Sequence, residues 1–260
     1  MEDVLDKIIA QKKIEILSID HKRIESEAVN INRKSLSMRK ALEQSRSGII
    51  AEFKRRSPSK GWINRNAMAS EIIPQYILSG AGACSILTDE YFFGGTLDDL
   101  KQAREHAANT PLLRKDFIIH PSQIYEASVY GADAILLIAR CLTNKECDEL
   151  SATAHELGLE VLLEVHSEDE LSYLNKNIDM LGVNNRNLGT FHTDINNSFK
   201  LAETIHKYHG NSLLVSESGI SEAGTISELR KHGFSGFLIG ETFMKTGNPG
   251  KALSDLISRI

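Results

Sequence analysis

Residues 48–58 of this 260-residue chain read GIIAEFKRRSP, an apolar run that changes abruptly into charged and polar residues. The apolar part predicts a strand at Gly48–Phe53. A dinucleotide-binding sheet would place a GxGxxG turn directly after its first strand. Here the strand is followed by Lys54-Arg55-Arg56-Ser57-Pro58 instead. The stretch therefore favours a closed barrel over an open, doubly wound sheet, the other arrangement with eight parallel strands.

Seven more apolar runs follow at separations of roughly twenty to thirty-five residues, each sufficient for a βαβ unit. The predicted strands are Gly48–Phe53, Ala83–Leu87, Leu112–Arg114, Ala134–Ile138, Val161–Val165, Met180–Val183, Ser212–Val215 and Gly236–Ile239. Eight such units form a (β/α)8 TIM barrel, an α/β fold whose usual length matches this chain. We predict one domain over residues 1–260, with an N-terminal helical extension at 1–47 and the barrel at 48–260.

Helical patterns precede the first strand and separate the later ones. Residues 3–16 predict an amphipathic helix packed on the barrel, with an apolar face that holds Val4, Leu5, Ile8, Ile9 and Ile14. Asn144–Leu157 follows Thr143, a candidate N-cap, and precedes Gly158, a candidate stop. Ser221–His232 begins with a possible cap of its own and precedes Gly233.

Composition limits the classes of function. The formal net charge of −5 argues against a dedicated nucleic-acid binder. The apolar runs are too short to span a bilayer, and the N-terminus lacks a basic leader. Three cysteines without CxxC spacing indicate reduced thiols, at Cys84, Cys141 and Cys147. We therefore expect a cytoplasmic protein with neither nucleic acid nor membrane as a partner.

Polar residues recur where the predicted strands end, which is where TIM barrels build their active sites. They are Glu52, Lys54, Lys115, Asp116, Glu164, Asn184, Arg186, Glu217, Ser218 and, directly after Gly240, Glu241. Glu52 and Lys54 are two positions apart and should share one face of their strand. One such charge is ordinarily the edge of a solvated loop. Several that converge on one barrel mouth indicate a site, because burying amines and carboxylates is costly unless they pair or act.

The ends of the last two strands predict an anion site. Ser218-Gly219 and Gly240 lie where TIM barrels often bind phosphate through backbone N–H groups. The only metal-like spacing is His206-x-x-His209, which we interpret as a surface pair, and there is no GxSxG or Cys/His nucleophile motif. We predict neither a metal nor a cofactor.

Sequence blocks in fixed order resemble those of the indole-3-glycerol phosphate synthase family. They are LDKII at 5–9, IAEFKRRSPSKG at 50–61, LTDE at 87–90 with FGG at 93–95, LRKDF at 113–117, LEVH at 163–166, VNNRNL at 183–188, SESGI at 216–220 and IGE at 239–241. Two departures are Phe243, where the family more often has leucine, and YFFG at 91–94, where it more often has Lys-Tyr-Phe-Gln. The second affects the expected shape of an aromatic pocket.

The resemblance implies a cofactor-free lyase of tryptophan biosynthesis. Its substrate would be similar to 1-(2-carboxyphenylamino)-1-deoxyribulose 5-phosphate, with a benzoate at one end, a phosphate at the other and a ketone between. By position, Lys115 would be the acid in ring closure and Glu164 would assist dehydration. Glu52 would pair with Lys54 and Lys115. We expect burial or cationic neighbours to lower the pKa of Lys115, since an ordinary lysine is a weak acid.

The resemblance also implies roles for the rest of the mouth. The substrate carboxylate would contact Lys54 and Arg186, Asn184 would bind the reacting oxygens, and Glu217 would support this network. Candidates for the phosphate are Ser57, Ser218, Gly219, Gly240 and the backbone N–H of Glu241. Phe93 and Phe117 would flank the aromatic ring.

Three other readings share parts of this pattern. A sugar-phosphate isomerase would have the phosphate glycines without the set of amines and carboxylates. A class I aldolase would use Lys115 to form a Schiff base. A non-catalytic barrel would bind phosphate without turnover. For the preferred reading we expect a small-molecule substrate and a monomer or weak homo-oligomer.

Overall fold

The computed structural model describes residues 4–187, 192–208 and 212–260. Its barrel strands are β1 (Ile49–Phe53), β2 (Ala83–Leu87), β3 (Leu112–Lys115), β4 (Ala134–Ile138), β5 (Glu160–Val165), β6 (Met180–Asn184), β7 (Leu213–Glu217) and β8 (Phe234–Ile239). Each strand pairs in parallel with the next one along the chain, and β8 pairs with β1 to close the barrel. The predicted (β/α)8 barrel is confirmed, and every predicted strand bound lies within 2 residues of the observed one.

The helices before the barrel are α1 (Val4–Leu17), α2 (His21–Val29) and α3 (Met38–Gln44). Those around it are α4 (Ala69–Leu78), α5 (Glu90–Phe93), α6 (Leu97–His106), α7 (Pro121–Val129), α8 (Asn144–Glu156), α9 (Asn196–Tyr208), α10 (Ala223–Lys231), α11 (Glu241–Met244) and α12 (Pro249–Ile257). Short 3-10 segments lie at Ala139–Cys141 and Asp169–Tyr173, and the loop after β1 folds into a hairpin of Arg56–Ser57 and Gly61–Trp62. Within the described ranges, no helix has both the length and the apolar character that a bilayer crossing requires.

The capping residues predicted from the sequence are correct for α8 and wrong for α10. Thr143 caps α8 in a reciprocal capping box with Glu146, and Gly158 after the helix has φ +72°, so both predictions are confirmed. Ser221 as the cap of the later helix is wrong. The helix begins two residues on, its N-cap residue Glu222 makes no side-chain capping bond, and Ser221 instead lines the cavity at the barrel mouth.

The buried face of α1 differs from the predicted one. Leu5, Ile8 and Lys12 are buried, whereas Ile14 is 63% exposed. Positions 5, 8 and 12 recur along one side of a helix, and position 14 falls on the opposite side from 12. The prediction placed Ile14 on the buried face because it considered only the hydrophobicity of each residue. A lysine can take the buried position because carboxylates of the barrel compensate its charge, as described below.

The alternation of side chains in β1 directs the charged end of the strand into the barrel. Ile49, Ala51 and Phe53 pack in the layer between strands and helices, while Ile50 belongs to the apolar cluster of the barrel interior. Glu52, two residues after Ile50, therefore faces the interior as well. Apolar side chains of neighbouring strands, such as Leu113, Leu136 and Leu162, belong to the same interior cluster as Ile50, and Glu52 lies at its C-terminal end.

Candidate active site

A cavity of about 310 Å³ opens at the C-terminal mouth of the barrel, a size typical of small-molecule sites. All the residues that the sequence predicted for the site line this one cavity. They are Glu52, Lys54, Ser57, Phe93, Lys115, Phe117, Glu164, Asn184, Arg186, Glu217, Ser218, Gly219, Gly240 and Glu241. Seven separate segments of the chain thus converge, as the strand-end pattern indicated.

Lys115, at the end of β3, is the electrostatic centre of the cavity. Its Nζ lies 3.3 Å from Glu164 Oε2 and 3.3 Å from Glu217 Oε2. Burial acts to lower the pKa of Lys115, but the charges of Glu217 and Glu164 outweigh it and raise the pKa above the ordinary value. The expectation of a lowered pKa is therefore wrong. The sequence shows which charges exist, whereas the structure shows that the nearest ones are carboxylates.

Glu217, at the end of β7, is the carboxylate that is hardest to ionise. Burial and the charge of Glu164 outweigh the attraction of Lys115 and raise the pKa of Glu217 to about 7. Apart from the ion pair with Lys115, neither carboxylate oxygen of Glu217 has a hydrogen-bond donor among the described residues. The side chain fits because β6 has a glycine beside it. A Cβ on Gly182 would lie 2.3 Å from Glu217 Oε1.

Glu164, at the end of β5, is stabilised as a carboxylate. Asn184 Nδ2 donates to its Oε1 at 2.9 Å, and His166 Nε2 lies 3.3 Å from the same oxygen. Burial raises the pKa of Glu164, but Lys115 and His166 outweigh that effect and lower it. The two carboxylates that contact Lys115 therefore shift in opposite directions, an arrangement suited to separate acid and base roles.

Glu52 and Lys54 form the predicted ion pair at the end of β1. The charge of Glu52 also helps to raise the pKa of Lys115, but without a direct contact between the two side chains. Of the two ion pairs expected for Glu52, the structure therefore has the one with Lys54. Gly240 makes room for this pair. A Cβ there would lie 2.2 Å from Glu52 Oε1 and 2.8 Å from its Cβ, so only glycine fits beside the carboxylate.

One rim of the cavity has the features of an anion site. Ser218 and Gly219 follow β7 with φ +67° and +79°, two consecutive left-handed residues. Turns of this kind can present successive backbone N–H groups to an anion. Ser57, from the loop after β1, lines the same cavity. Arg186 crosses the mouth, donating from Nη1 to Ser59 Oγ at 2.8 Å, with Nη2 3.5 Å from Glu241 Oε2.

An aromatic and aliphatic wall completes the cavity. The rings of Phe93 and Phe117 have centroids 5.9 Å apart and are tilted by 36°. Leu5 and Ile8 of α1 belong to the same apolar cluster and line the same cavity. A planar ring would thus contact side chains from outside the barrel as well as from within it.

Sequence reasoning missed two contributions to the site. Leu5 and Ile8 were predicted to pack on the barrel, and nothing in the periodicity of α1 indicated that they would line a cavity. His166 could have been found, because it lies two positions after Glu164 and shares its face by the argument that joined Glu52 and Lys54. Burial lowers the pKa of His166, but its carboxylate neighbours, with Glu170 first, raise it overall.

The proposed surface pair of histidines is only partly described. His206 is exposed, and its Nε2 lies 2.9 Å from the carbonyl oxygen of His232. His209 lies outside the described residues, as does Leu188 of the VNNRNL block.

Comparison with known proteins finds relatives over nearly the whole chain. The family model for indole-3-glycerol phosphate synthase matches residues 5–256. An indole-3-glycerol phosphate synthase of Bacteroides thetaiotaomicron is 53% identical over 266 residues, with 100% of both chains covered. Those of Polynucleobacter asymbioticus and Salinibacter ruber are 43% and 40% identical, covering 99% and 98% of this chain and 100% and 94% of theirs.

Solved structures support the fold. A mutant tryptophan synthase alpha-subunit from Pyrococcus furiosus superimposes with a TM-score of 0.61 at 14% identity, covering 83% of this chain and 98% of that one. A 3-hexulose-6-phosphate synthase gives a TM-score of 0.62 at 12% identity, covering 82% and 99%. These two likenesses concern the barrel alone. The family match over nearly the whole length, with relatives at 40% to 53% identity, is decisive: the chain belongs to the indole-3-glycerol phosphate synthase family.

Proposed function

We propose that the protein converts 1-(2-carboxyphenylamino)-1-deoxyribulose 5-phosphate into indole-3-glycerol phosphate, carbon dioxide and water. The observation that carries the proposal is the placement of Lys115 between Glu164 and Glu217, in a cavity with an anion-binding turn on one rim and an aromatic wall. The substrate has a matching sequence of groups: a phosphate, a ketone and a benzoate.

Two ends of the cavity would hold the two ends of the substrate. We assign the phosphate to Ser57, Ser218, Gly219, Gly240 and the backbone N–H of Glu241. Phe93 and Phe117 would flank the benzoate ring, and Lys54 with Arg186 would hold its carboxylate. Fixing both ends brings the ring carbon that bears the carboxylate close to the ketone, which lowers the entropic part of the barrier.

Ring closure would then need one acid. As the ring carbon bonds to the carbonyl carbon, the carbonyl oxygen becomes an alkoxide and takes a proton from the Lys115 ammonium. Asn184 can donate a hydrogen bond to the same oxygen. Loss of carbon dioxide follows, because the electron pair of the broken carbon–carbon bond restores the aromatic ring. The neutral Lys115 amine can recover a proton from Glu217, whose pKa of about 7 leaves it partly protonated at neutral pH.

Dehydration would need an acid and a base. The hydroxyl leaves as water with a second proton from Lys115, and the ring methylene next to nitrogen loses a proton to Glu164, which forms the new double bond. Glu164 suits the base because its pKa is lowered. Two protons enter and one leaves, so each turnover takes up one proton, as expected for a substrate that binds as a carboxylate.

The direct test is an assay of the purified protein with this substrate, without added metal or cofactor and in the presence of EDTA. We expect indole fluorescence to rise above that of the protein's single tryptophan. Among the reactions considered for this site, only ring closure followed by decarboxylation and dehydration yields an indole. Failure of the signal to appear, with substrate consumed or not, would contradict the proposal.

The same preparation separates the isomerase and aldolase readings. An isomerase acting on an anthranilate–ribose phosphate would rearrange that compound and produce no indole. A class I aldolase would form a Schiff base between Lys115 and the substrate, and borohydride would reduce it to a stable covalent adduct. We expect neither, because the carboxylates beside Lys115 keep it charged and therefore a poor nucleophile.

Two finer points belong to the same proposal. The first is the location of the protein. The thiols of Cys84, Cys141 and Cys147 are free, which suits the reducing cytoplasm.

The second is the number of chains that the reaction needs. All side chains with an assigned role come from one chain, so we propose that turnover does not need a second copy.

Glu217 should make stability depend on pH. Its pKa rises from 4.5 in an ordinary glutamate to about 7 in the fold, so the folded protein keeps a proton that the unfolded chain releases between these values. The stabilising effect of that proton is complete below the lower value and is lost as pH rises through the upper one. We expect the melting temperature of the protein to fall from about pH 5 to about pH 8 relative to Glu217→Gln.

Thermal melts of both proteins across this range provide the measurement. A difference of ~1 kcal/mol would move the melting temperature by about 2–4 °C in a protein of this size. Glu105→Gln, the same change at an exposed position of α6, is the control and should follow the wild type. Parallel curves for the wild type and Glu217→Gln would contradict the raised pKa.

A further inference from the structure

α1 contributes one buried cation to the structure. Lys12 is 3% exposed, and its Nζ lies 2.9 Å from Asp89 Oδ2 and 2.9 Å from Asp116 Oδ1. It also donates to Glu15 Oε2 of its own helix at 2.8 Å. The two aspartates belong to different barrel units, one after β2 and one after β3, so the lysine joins three segments of the chain.

Asp89 determines the position of one aromatic ring. Its Oδ1 accepts from the backbone N–H of Phe92 at 2.7 Å and of Phe93 at 3.1 Å, which caps α5. The opposite oxygen, Oδ2, is the one that faces Lys12. A shift of this carboxylate would therefore move the helix that carries Phe93.

Asp116 has the same relation to the second ring. Its Oδ1 accepts from the backbone N–H of Phe117 at 2.8 Å and faces Lys12. Its Oδ2 accepts from Thr88 Oγ1 at 2.6 Å and from Arg114 Nη2 at 3.0 Å. The residue immediately before it is Lys115.

The helix that carries Lys12 also forms part of the aromatic wall. Leu5 and Ile8 line the cavity in the same apolar cluster as Phe93 and Phe117, and Lys12 lies one turn beyond Ile8 on the same face. Thus one ammonium is tied to all three parts of the wall: to α1 directly, to the Phe93 segment through Asp89, and to the Phe117 segment through Asp116.

We propose that Lys12 is a positioning residue that fixes the wall against which the aromatic end of the substrate binds. The proposal rests on the proposed function, since it concerns the benzoate end of that substrate. Without the ammonium, two buried carboxylates would face each other with no shared cation, and one would have to move or take a proton. Either change loosens the wall and leaves the phosphate rim untouched.

The experiment compares Lys12→Met, which keeps the bulk and removes the charge, with Lys12→Arg, which keeps the charge. We expect Lys12→Met to raise KM for the substrate by ~10-fold or more with a smaller fall in kcat, since small misplacements of binding groups have effects of this size. Inhibition by inorganic phosphate, which probes only the other rim, should keep its wild-type constant. Lys12→Arg should recover most of the loss.

Arg33→Met is the matched control. Arg33 Nη1 lies 2.6 Å from Oδ1 of the fully buried Asp133, so this variant also removes a cation from a buried carboxylate, but outside the cavity. It should lower the melting temperature without changing KM. The proposal is overturned if Lys12→Met only lowers the melting temperature, if it weakens phosphate inhibition as much as substrate binding, or if Arg33→Met raises KM equally.

If Lys12→Met does not fold, a double variant can test the proposal instead. Lys12→Met with Asp89→Asn removes one negative charge together with the ammonium, and the asparagine can still cap α5. We expect a raised KM in this folded variant, and a wild-type KM would overturn the proposal. Absence of turnover in the wild type would overturn the proposed function itself, whereas turnover in every variant with unchanged KM would overturn only the role of Lys12.

Discussion

Lys115→Met is expected to lower kcat by ~10²-fold or more, the usual loss when one acid–base group is removed, while KM changes little. Methionine has nearly the length of lysine and should fill the same space. It cannot give a proton to the developing alkoxide, and no other amine contacts both Glu164 and Glu217 in the part of the chain that the structure describes. The measurement is steady-state indole formation with saturating substrate.

Lys101→Met is the control for this variant, because it makes the same change at an exposed position of α6 and should leave turnover unchanged. The melting temperature of Lys115→Met must also be measured, since the variant leaves two buried carboxylates without their cation. A folded Lys115→Met protein with near-normal kcat would remove Lys115 from the acid role and with it the proposed mechanism of ring closure.

The sequence predicts much of the fold because its signals are local. Strands such as Ala83–Leu87 and Ala134–Ile138 were predicted with their observed bounds, since each is a short apolar run next to a helical segment. The positions of Glu52, Lys115 and Glu164 followed from one rule, that the ends of parallel barrel strands meet at one mouth. None of these steps needs a distance between side chains.

What the sequence could not predict depends on such distances. The direction of the pKa shift of Lys115 was wrong because it depends on which charges lie within a few ångströms, and Glu164 and Glu217 are 49 and 102 residues away along the chain. The burial of Lys12 was missed for the same reason, since Asp89 and Asp116 compensate it from other segments. Electrostatic compensation over long sequence separations is invisible to periodicity.

The opposite shifts of the two glutamates suggest how one lysine could serve two steps. Glu217 is partly protonated near neutral pH and lies 3.3 Å from Lys115, so it can return a proton to the amine between ring closure and dehydration. Glu164 stays ionised and can accept the proton that dehydration releases. Removal of Glu164 should therefore affect the last step and spare the earlier ones.

Glu164→Gln tests that separation. We expect kcat for indole formation to fall by ~10²-fold or more, the typical loss of a general base. Glutamine keeps the shape and an oxygen that can accept from Asn184, whose Nδ2 lies 2.9 Å from Glu164 Oε1. Because ring closure and decarboxylation do not use Glu164 as a base, one equivalent of carbon dioxide per enzyme should be released rapidly in a single turnover while indole fluorescence lags.

The control is Glu168→Gln, the same change at an exposed position whose carboxylate accepts from Thr204 Oγ1 at 2.7 Å, and it should behave as the wild type. Quenched-flow measurement of carbon dioxide together with stopped-flow fluorescence distinguishes the outcomes. If both signals slow by the same factor in Glu164→Gln, the glutamate acts before decarboxylation, through its charge on Lys115, and the base role fails. If neither slows, Glu164 has no part in proton transfer, and the proton of the methylene must pass to another group at the barrel mouth.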